Sequence, residues 1–495
     1  MAELKFGTSG IRGTMGDGSG RMNLKTIRLV TMGLGKYLKE VKPEETPVVA
    51  VSRDSRNNSL EFARETVRTL KGMGIDARMF EDILPVPALS FAVRYLKADA
   101  GVMITASHNP KEYNGYKVYG PTGSQILDEA AEKIQKYISE IPEDCCSIYP
   151  SCCDDQIEYI DASVYDAYIE AMDDVVNSIS AGATAETPAG GGRNACACGG
   201  REDSLNVIYT PLNGSGAKPA IQTLNGDGHE VFTVPEQERP DGNFTTCGQP
   251  NPEFERVYER ALKYAQDAYK AGSPADIIIA TDPDADRVGA MVLKNPAGSK
   301  DGASETPEYR LLSGNDLGTL VLDYICSACD TRGKALVSSF VSTPLADRVA
   351  AAHGMDVKKT PVGFKYIAAY MDELQGGFGF GFEESNGMVA GLYTRDKDGV
   401  LGARLVCMAA EAQKKLGKTL SDRLDEINAQ YGPVVCKTID KIVDPDAPKP
   451  ETTVTDLEDG SRVVVRPSGT EPKIKYYFFA PGESRLQELI EKYSL

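Results

Sequence analysis

Short apolar runs recur along this chain, and most are followed by a break rich in Gly, Asn, Asp or Pro. Such runs are typical of strands that are buried on both faces of a parallel sheet. They predict strands at 48–51, 101–104, 206–209, 277–280, 335–338, 462–466 and 474–479. Between them, apolar positions with helical spacing predict helices at 60–73, 128–138, 161–178, 402–416 and 484–493. The alternation indicates an α/β protein.

A chain of 495 residues is too long for one hydrophobic core, and the order of its predicted elements divides it into four units. We expect these units at 1–155, 156–308, 309–417 and 418–495. The segment 184–201 is rich in Gly, Ala and Cys and is predicted to be a surface insertion.

The composition excludes several classes of protein. The net charge of −18 argues against nucleic acid or an anionic membrane as a partner. No apolar run reaches the roughly 18 residues of a membrane span, and the N-terminus carries no apolar signal segment. A cytoplasmic location is therefore predicted.

The eleven cysteines are irregularly spaced. Six of them are clustered: Cys145, Cys146, Cys152, Cys153, Cys196 and Cys198. Cys326 and Cys329 form one isolated CxxC pair. Free thiols are the expectation for a cytosolic protein, and a structural zinc or a redox role for the clustered cysteines is the alternative.

The segment TASHNP at 105–110 follows a predicted strand and contains Ser107. Asn109-Pro110 bars helix there, because the residue before a proline is pushed out of the α region. Ser107 is therefore predicted on a loop at the C-terminal end of a strand, where ligands bind in open α/β sheets. Taken alone, it is either a reactive hydroxyl or a residue that caps a turn.

Asp282, Asp284 and Asp286 alternate in the segment TDPDADR, directly after another apolar run. From an extended loop their carboxylates would converge, and three hard oxygen ligands suit Mg²⁺. An EF-hand calcium loop is excluded, because its sixth and twelfth positions would be Arg287 and Leu293 instead of Gly and Glu. An acidic surface turn is the alternative.

Two further segments carry groups that suit a phosphorylated sugar. GFEESNG at 381–387 places Glu383 and Ser385 two residues apart, so both would point the same way from an extended loop towards vicinal hydroxyls. RPSGTEPKIKYYF at 466–478 predicts a phosphate-binding nest with added positive charge. Its groups are Arg466, Ser468, Gly469, Thr470, Lys473 and Lys475. In both segments the alternative is an ordinary turn.

Together with FGTSGIRG at 6–13, these segments resemble the α-D-phosphohexomutases, a family that includes phosphoglucomutases, phosphomannomutases and phosphoglucosamine mutases. The resemblance covers almost the whole chain, with the motifs in the family's order. Further matches are SRDSR at 52–56, NGYKVYGPTGSQI at 114–126, YTPLNGSG at 209–216, TPVGFKYI at 360–367 and RDKDG at 395–399. The resemblance implies three similar mixed α/β domains, a smaller C-terminal α+β domain, and an active site in a central cleft.

What the resemblance implies chemically is a reversible transfer of phosphate between O1 and O6 of a hexose through a sugar bisphosphate. Ser107 resembles the phosphoserine, and Arg12 and Arg287 would add positive charge beside it. One Mg²⁺ per subunit and glucose 1,6-bisphosphate as activator are expected. The implied metal ligands are Ser107, Asp282, Asp284 and Asp286.

Lys117 matches the lysine proposed as general acid/base in this family, a role that requires a pKa well below ~10.4. The alternative is a phosphate-binding cation that stays charged. His108 matches the family's loop histidine and is given a positional role. Lys365 is expected near the distal phosphate or the sugar.

The Glu-Glu-Ser sequence of GFEESNG resembles the glucose-type branch, so glucose 1-phosphate and glucose 6-phosphate are the expected substrates. Activity on mannose or pentose phosphates stays open. One position departs from the family: Asn213 stands where a histidine is usual, which predicts different hydrogen bonding beside the metal-binding segment.

The expected partners are small sugar phosphates, bound by a monomer or a homodimer. Two other classes of function are less well supported. A phosphatase would not need the sugar- and phosphate-binding residues Glu383, Ser385 and Arg466. An inactive scaffold protein would have lost Ser107 or one of the aspartates.

Overall fold

The computed structural model describes residues 6–7, 10–142, 156–183, 204–294, 307–444, 450–467 and 473–493. These residues form four sheets that follow one another along the chain. Within the same ranges, no helix has the length and apolarity needed to cross a bilayer.

The first unit is a mixed sheet with helices on both faces. Its strands are β1 (Gly10–Thr14), β2 (Val48–Arg53), β3 (Asp76–Met79), β4 (Ala100–Ile104), β5 (Tyr113–Tyr119) and β6 (Glu158–Tyr159). Its helices are α1 (Leu24–Val41), α2 (Ser59–Gly72), α3 (Val86–Tyr95), α4 (Asp128–Ser139) and α5 (Ser163–Ala183). The strand order is β1-β5-β4-β2-β3-β6, with β5 antiparallel to β4 and β1. Every residue of β4 is buried, as its apolar run predicts.

The second unit repeats this plan. Its strands are β7 (Asn206–Thr210), β8 (Glu230–Thr233), β9 (Ile277–Thr281), β10 (Val288–Leu293) and β11 (Tyr309–Leu311). Its helices are α6 (Ala217–Gly226), α7 (Pro235–Glu238) and α8 (Glu259–Lys270), and a short 3-10 helix spans Glu255–Tyr258. The order is β11-β10-β9-β7-β8, with β9 parallel to β7 and antiparallel to β10.

The third unit has the strands β12 (Ala335–Ser339), β13 (Asp356–Thr360), β14 (Phe378–Glu383) and β15 (Gly387–Ala390). Its helices are α9 (Gly314–Ala328), α10 (Pro344–Ala352), α11 (Phe364–Leu374), α12 (Gly399–Lys414) and α13 (Leu420–Tyr431), with a 3-10 turn at Gln375–Gly377. The order is β13-β12-β14-β15, and β14 is parallel to β12 but antiparallel to β15. A capping box of Ser313 and Asp316 begins α9.

The fourth unit is smaller and antiparallel throughout. It consists of β16 (Val435–Ile442), β17 (Thr453–Asp456), β18 (Arg462–Pro467), β19 (Lys473–Ala480) and α14 (Glu483–Tyr493), with strand order β16-β19-β18-β17. One face of this sheet packs on α14. On the other face, Val464, Tyr477 and Phe479 pack against Val341 of the third unit. The predicted fold class, three similar α/β domains and a smaller α+β domain, is confirmed.

Three elements lie across a predicted boundary from the unit that they join. β6 pairs with β3 although it follows residue 155, and β11 pairs with β10 although it follows residue 308. Helix α13, which begins after residue 418, packs into the core that contains the third unit. The apolar pattern shows that each element exists but not which sheet it joins, so the domain limits stay predictions.

The predicted surface insertion and the six clustered cysteines lie outside the described residues. The CxxC pair is at the end of α9, and both of its thiols are free. Cys326 is buried, with its Sγ 3.6 Å from the Sδ of Met355.

Candidate active site

Three loops leave their sheets in the same way. We call them the serine loop (105–112, from β4 to β5), the aspartate loop (282–287, from β9 to β10) and the glutamate loop (383–386, at the turn from β14 to β15). Each joins the end of a strand in the parallel part of a sheet to an antiparallel neighbour. Each contains a non-glycine residue with left-handed backbone: Ser107 (φ 51°), Ala285 (φ 48°) and Asn386 (φ 66°). The extended conformation predicted for the second and third loops is therefore wrong, because each reverses through a tight turn.

Ser107 is buried, with 3% of its surface exposed. Its hydroxyl donates a hydrogen bond to Oδ2 of Asp282 at 2.7 Å and lies 3.1 Å from Nδ1 of His108. Its backbone N–H donates to the hydroxyl of Thr105 at 2.8 Å. The serine and aspartate loops thus meet at this oxygen, so that the hydroxyl faces a cluster of carboxylates.

The three aspartates of the aspartate loop are buried, and one carboxylate oxygen of each lies within 4.8 Å of the others. Burial raises the pKa of Asp282, and the charges of Asp284 and Asp286 raise it further. Oδ1 of Asp284 and Oδ1 of Asp286 are buried without a hydrogen-bond partner. Unsatisfied hard oxygens that converge in this way are what a divalent cation such as Mg²⁺ coordinates, so the residues fit the predicted metal.

Cations from all three α/β units surround this triad. Lys117 Nζ lies 2.8 Å from Oδ2 of Asp284, and Lys397 Nζ lies 3.0 Å from Oδ2 of Asp286. Burial would raise the pKa of Asp286, but the two lysines outweigh it and hold this pKa below its ordinary value. The backbone N–H of Arg287 donates to Oδ1 of Asp282 at 3.1 Å. Lysines of the first and third units therefore offset part of the negative charge of the triad.

Lys117 itself is buried in this arrangement. Burial lowers its pKa, but the carboxylates of Asp284 and Asp286 outweigh burial and leave the pKa raised. The amine is therefore charged here, which agrees with the alternative of a phosphate-binding cation. The general acid/base role stays a prediction.

Three further predicted residues lie close to the serine loop. Burial lowers the pKa of His108 well below its ordinary value, assisted by the charges of Arg287 and Arg12, so the ring is neutral. Arg12 donates from Nη1 to Oδ1 of Asn109 at 3.1 Å. Arg287 donates from Nη1 to Oε1 of Glu253 at 2.8 Å, and its Nε lies 3.8 Å from Oδ1 of Asp286.

The glutamate loop is less constrained. Oε1 of Glu383 accepts a hydrogen bond from the backbone N–H of Gly363 at 3.1 Å. Oε2 of Glu384 accepts one from Ser339 at 3.2 Å, and burial together with the charge of Glu383 raises the pKa of Glu384 to about 7. Ser385 is partly exposed. Polar groups at this turn are thus available to a ligand.

The remaining predicted binding residues border the third and fourth units. Lys365 is buried, and its Nζ contacts Oδ1 of Asp128 at 2.6 Å, which links α11 to the start of α4. Arg466 and Lys475 are direct cross-strand neighbours in β18 and β19. By the alternation of strand residues they share the face of Tyr477, which packs against the third unit. Ser468, Gly469 and Thr470 lie outside the described residues.

Asn213 does not replace the missing histidine by a side-chain contact to the aspartate loop. Its Nδ2 donates to the carbonyls of Glu236 and Arg239. Ser215 holds the loop instead, since its N–H and its hydroxyl both donate to the carbonyl of Pro283, at 2.8 and 2.9 Å. The predicted difference from the family at this position stays a prediction.

Three side chains in or beside the site were not assigned a role from the sequence. Lys397 comes from RDKDG, and Asp54 and Arg56 come from SRDSR; both segments were singled out as motifs, but no role was assigned to their side chains. The signal that could have found Lys397 is a lysine between two acidic residues in a segment that follows a buried strand. Its partner Asp286 could not be inferred without the fold.

The arrangement joins a buried hydroxyl, three convergent carboxylates and several cations at the meeting point of three similar sheets. Residues 3–144, 198–295 and 313–431 match the phosphoglucomutase/phosphomannomutase alpha/beta/alpha domains I, II and III, and residues 410–493 match the C-terminal domain. The chain belongs to the phosphoglucomutase/phosphomannomutase family. Its members are isomerases that transfer phosphate within a sugar phosphate, as the sequence predicts.

Named relatives within this family are similar over most of their length. A phosphoglucomutase of Staphylococcus haemolyticus is 33% identical over 449 residues, which cover 89% of this chain and 75% of that protein. The crystal structure of a putative phosphomannomutase from Thermus thermophilus has a TM-score of 0.73 at 25% identity and covers 99% of this chain and 98% of that one. The open form of a phosphoglucomutase from Paramecium, pp63/parafusin, shares the fold at 18% identity, with a TM-score of 0.70 over 99% of this chain and 94% of that one.

Proposed function

We propose that this protein is a phosphoglucomutase that interconverts glucose 1-phosphate and glucose 6-phosphate. The observation that carries the proposal is the 2.7 Å contact between the hydroxyl of Ser107 and Asp282, beside an acidic triad in a chain of this family. The identity to named phosphoglucomutases supports glucose as the sugar.

In this proposal Ser107 carries the phosphate between turnovers. The phosphoserine gives its phosphoryl group to the free hydroxyl of the bound sugar phosphate, and the product of this half-reaction is glucose 1,6-bisphosphate and a free serine. After the intermediate reorients, its other phosphate returns to Ser107. Lys117, Arg12 and Arg287 supply the positive charge that phosphoryl transfer requires, and His108 contacts the serine oxygen.

Asp282, Asp284 and Asp286, together with the oxygen on Ser107, are the residues that would hold Mg²⁺. When bound, the ion neutralises negative charge on the transferring phosphoryl group. Lys117 and Lys397 limit the repulsion among the three carboxylates, so the triad is formed before a ligand arrives.

The sugar and its second phosphate are assigned to residues of the third and fourth units. Glu383 and Ser385 would bond the sugar hydroxyls, and Lys365 would face the distal phosphate. The proposed phosphate contacts in the fourth unit are Arg466, Ser468, Gly469, Thr470 and Lys475. Glucose 1,6-bisphosphate would act as activator, because it rephosphorylates any enzyme that has lost its phosphate. The cytoplasmic location and the choice between monomer and homodimer stay predictions.

The proposal is tested by a substrate panel. The enzyme is assayed with Mg²⁺ and a catalytic amount of glucose 1,6-bisphosphate on the 1-phosphates of glucose, mannose, glucosamine and ribose, with free phosphate measured in parallel. A preference for glucose 1-phosphate without phosphate release is expected. A preference for mannose 1-phosphate would favour the second candidate, a phosphomannomutase, which the similarity to the Thermus protein supports. Stoichiometric phosphate release would show a phosphatase.

A further inference from the structure

Arg56 lies against the backbone of the serine loop. Its side chain is completely buried, and its guanidinium donates hydrogen bonds to four backbone carbonyls of the loop and the start of β5. Two of these bonds, to Pro110 and Tyr113, measure 2.9 and 3.1 Å; the other two go to Ser107 and Asn109. A planar fork of fixed N–H groups matches several carbonyls at once, which a lysine amine does not.

The guanidinium forms an ion pair with a buried carboxylate. Oδ2 of Asp54 lies 3.2 Å from Nε of Arg56 and accepts a hydrogen bond from the hydroxyl of Thr105 at 2.6 Å. The Thr105 oxygen in turn accepts the N–H of Ser107. Asp54 and Arg56 therefore hold both backbone polar groups of Ser107, its N–H through Thr105 and its carbonyl directly.

The second unit closes the outer side of this arrangement. The ring of Phe244 lies 4.9 Å from the guanidinium carbon of Arg56, a cation–π distance. Beside it, Nδ2 of Asn57 donates to Oδ1 of Asn243 at 3.0 Å. A Cβ at Gly242 would come within 2.4 Å of the backbone nitrogen of Asn57, so the contact tolerates no larger residue there. The second unit, which supplies the three aspartates, therefore also contacts Arg56 and Asn57 next to the serine loop.

We infer that Arg56 is a positioning residue for phosphoryl transfer: it holds Ser107 in its left-handed conformation, with the hydroxyl directed at Asp282. The inference rests on the proposed function, since it concerns the same serine. Left-handed backbone is unfavourable for serine and persists only where the surroundings enforce it. The guanidinium bonds loop carbonyls and is buried, so its loss should slow transfer without weakening substrate binding.

The test compares Arg56→Lys with Arg94→Lys. Arg94 is the control, because it also donates to backbone carbonyls, those of Leu392 and Tyr393, but these carbonyls belong to the third unit and not to the serine loop. For Arg56→Lys we expect kcat and the rate of Ser107 phosphorylation by glucose 1,6-bisphosphate to fall on the order of 10²-fold. KM for glucose 1-phosphate should be unchanged, and hydrogen exchange should accelerate across residues 105–113. Arg94→Lys should show none of these changes.

A KM increase with unchanged kcat in Arg56→Lys, or equal effects of both substitutions, would overturn the inference. If Arg56→Lys does not fold, Asp54→Asn replaces it and should show the same split between kcat and KM. If the wild-type protein has no mutase activity, the proposed function fails. The positioning role of Arg56 is then judged from hydrogen exchange alone. Faster exchange at 105–113 confined to Arg56→Lys then supports the positioning role, and unchanged exchange contradicts it.

Discussion

The aspartate loop and the glutamate loop have equivalent places in two similar sheets, yet their surroundings differ. Both follow a buried strand and reverse through a single left-handed residue. In the aspartate loop all three carboxylates are buried, and cations from neighbouring units contact two of them. In the glutamate loop, Glu384 and Ser385 are partly exposed, Glu383 accepts a hydrogen bond from Gly363, and Glu384 accepts one from Ser339.

The difference shows how one supersecondary unit serves two purposes. A turn whose carboxylates are buried beside opposite charges presents a fixed electrostatic centre that changes little when a ligand binds. A turn with few partners presents donors and acceptors that a ligand can still engage. Substitutions in the first loop should therefore affect every substrate equally, and substitutions in the second should change the choice among substrates.

Removing one carboxylate of the aspartate loop should have the largest effect. For Asp284→Asn we expect a loss of activity of about 10²–10³-fold with every sugar phosphate, because a metal ligand and its charge are lost. Steady-state rates across a Mg²⁺ titration measure it. Asp330→Asn, at an exposed ion pair with Arg332, is the control and should behave as wild type. Selective loss with one sugar only would contradict the fixed role of this loop.

Removing the negative charge of Glu383 in the glutamate loop should affect one sugar phosphate more than another. For Glu383→Gln we expect kcat/KM for glucose 1-phosphate to fall about 10- to 100-fold, the value of one or two hydrogen bonds to a charged group. The fall for mannose 1-phosphate should be smaller. The ratio of the two kcat/KM values is the measurement, and an unchanged ratio would show that this turn does not discriminate between sugars.

Sequence reasoning located both loops but not their shape. An apolar run that ends in a polar motif identifies a strand and the loop after it, which is why Ser107 and the aspartates could be placed. The left-handed conformations of Ala285 and Asn386 could not be predicted, because the antiparallel register of the next strand imposes them. Lys397 reaches Asp286 only through the packing of the third unit on the second, and no local pattern contains that contact.

A smaller effect is expected at Lys365, where helix α11 of the third unit contacts helix α4 of the first unit. Lys365 forms an ion pair with Asp128, whose side chain is largely exposed. If Lys365 binds the distal phosphate, Asp128→Asn removes a competing carboxylate worth up to about 1 kcal/mol. KM for glucose 1-phosphate should then fall about two- to fivefold, whereas Lys365→Met should raise it. A rise of KM in Asp128→Asn would mean that the pair positions Lys365 for the substrate.

The last expected effect is on stability and its dependence on pH, not on activity. The pKa of Glu384, raised from 4.5 to about 7, means that the folded protein binds this proton more tightly than the unfolded chain. The resulting stabilisation is present at low pH and is lost as the pH rises through 7. Glu384→Gln should therefore gain stability relative to wild type, by up to about 2.5 kcal/mol, when the pH is raised from about 5 to about 8. Denaturant unfolding at the two pH values measures it, and a pH-independent difference would contradict the raised pKa.

The most direct measurement is the position of the phosphate on the enzyme. The protein is incubated with Mg²⁺ and glucose 1,6-bisphosphate, digested, and analysed by mass spectrometry, with the Ser107→Ala variant in parallel. We predict one phosphate per chain on the peptide that contains Ser107, its removal by excess glucose 1-phosphate, and no phosphate and no mutase activity in the variant. Phosphate on another residue, or full activity of Ser107→Ala, would contradict the role of Ser107 as the phosphate carrier.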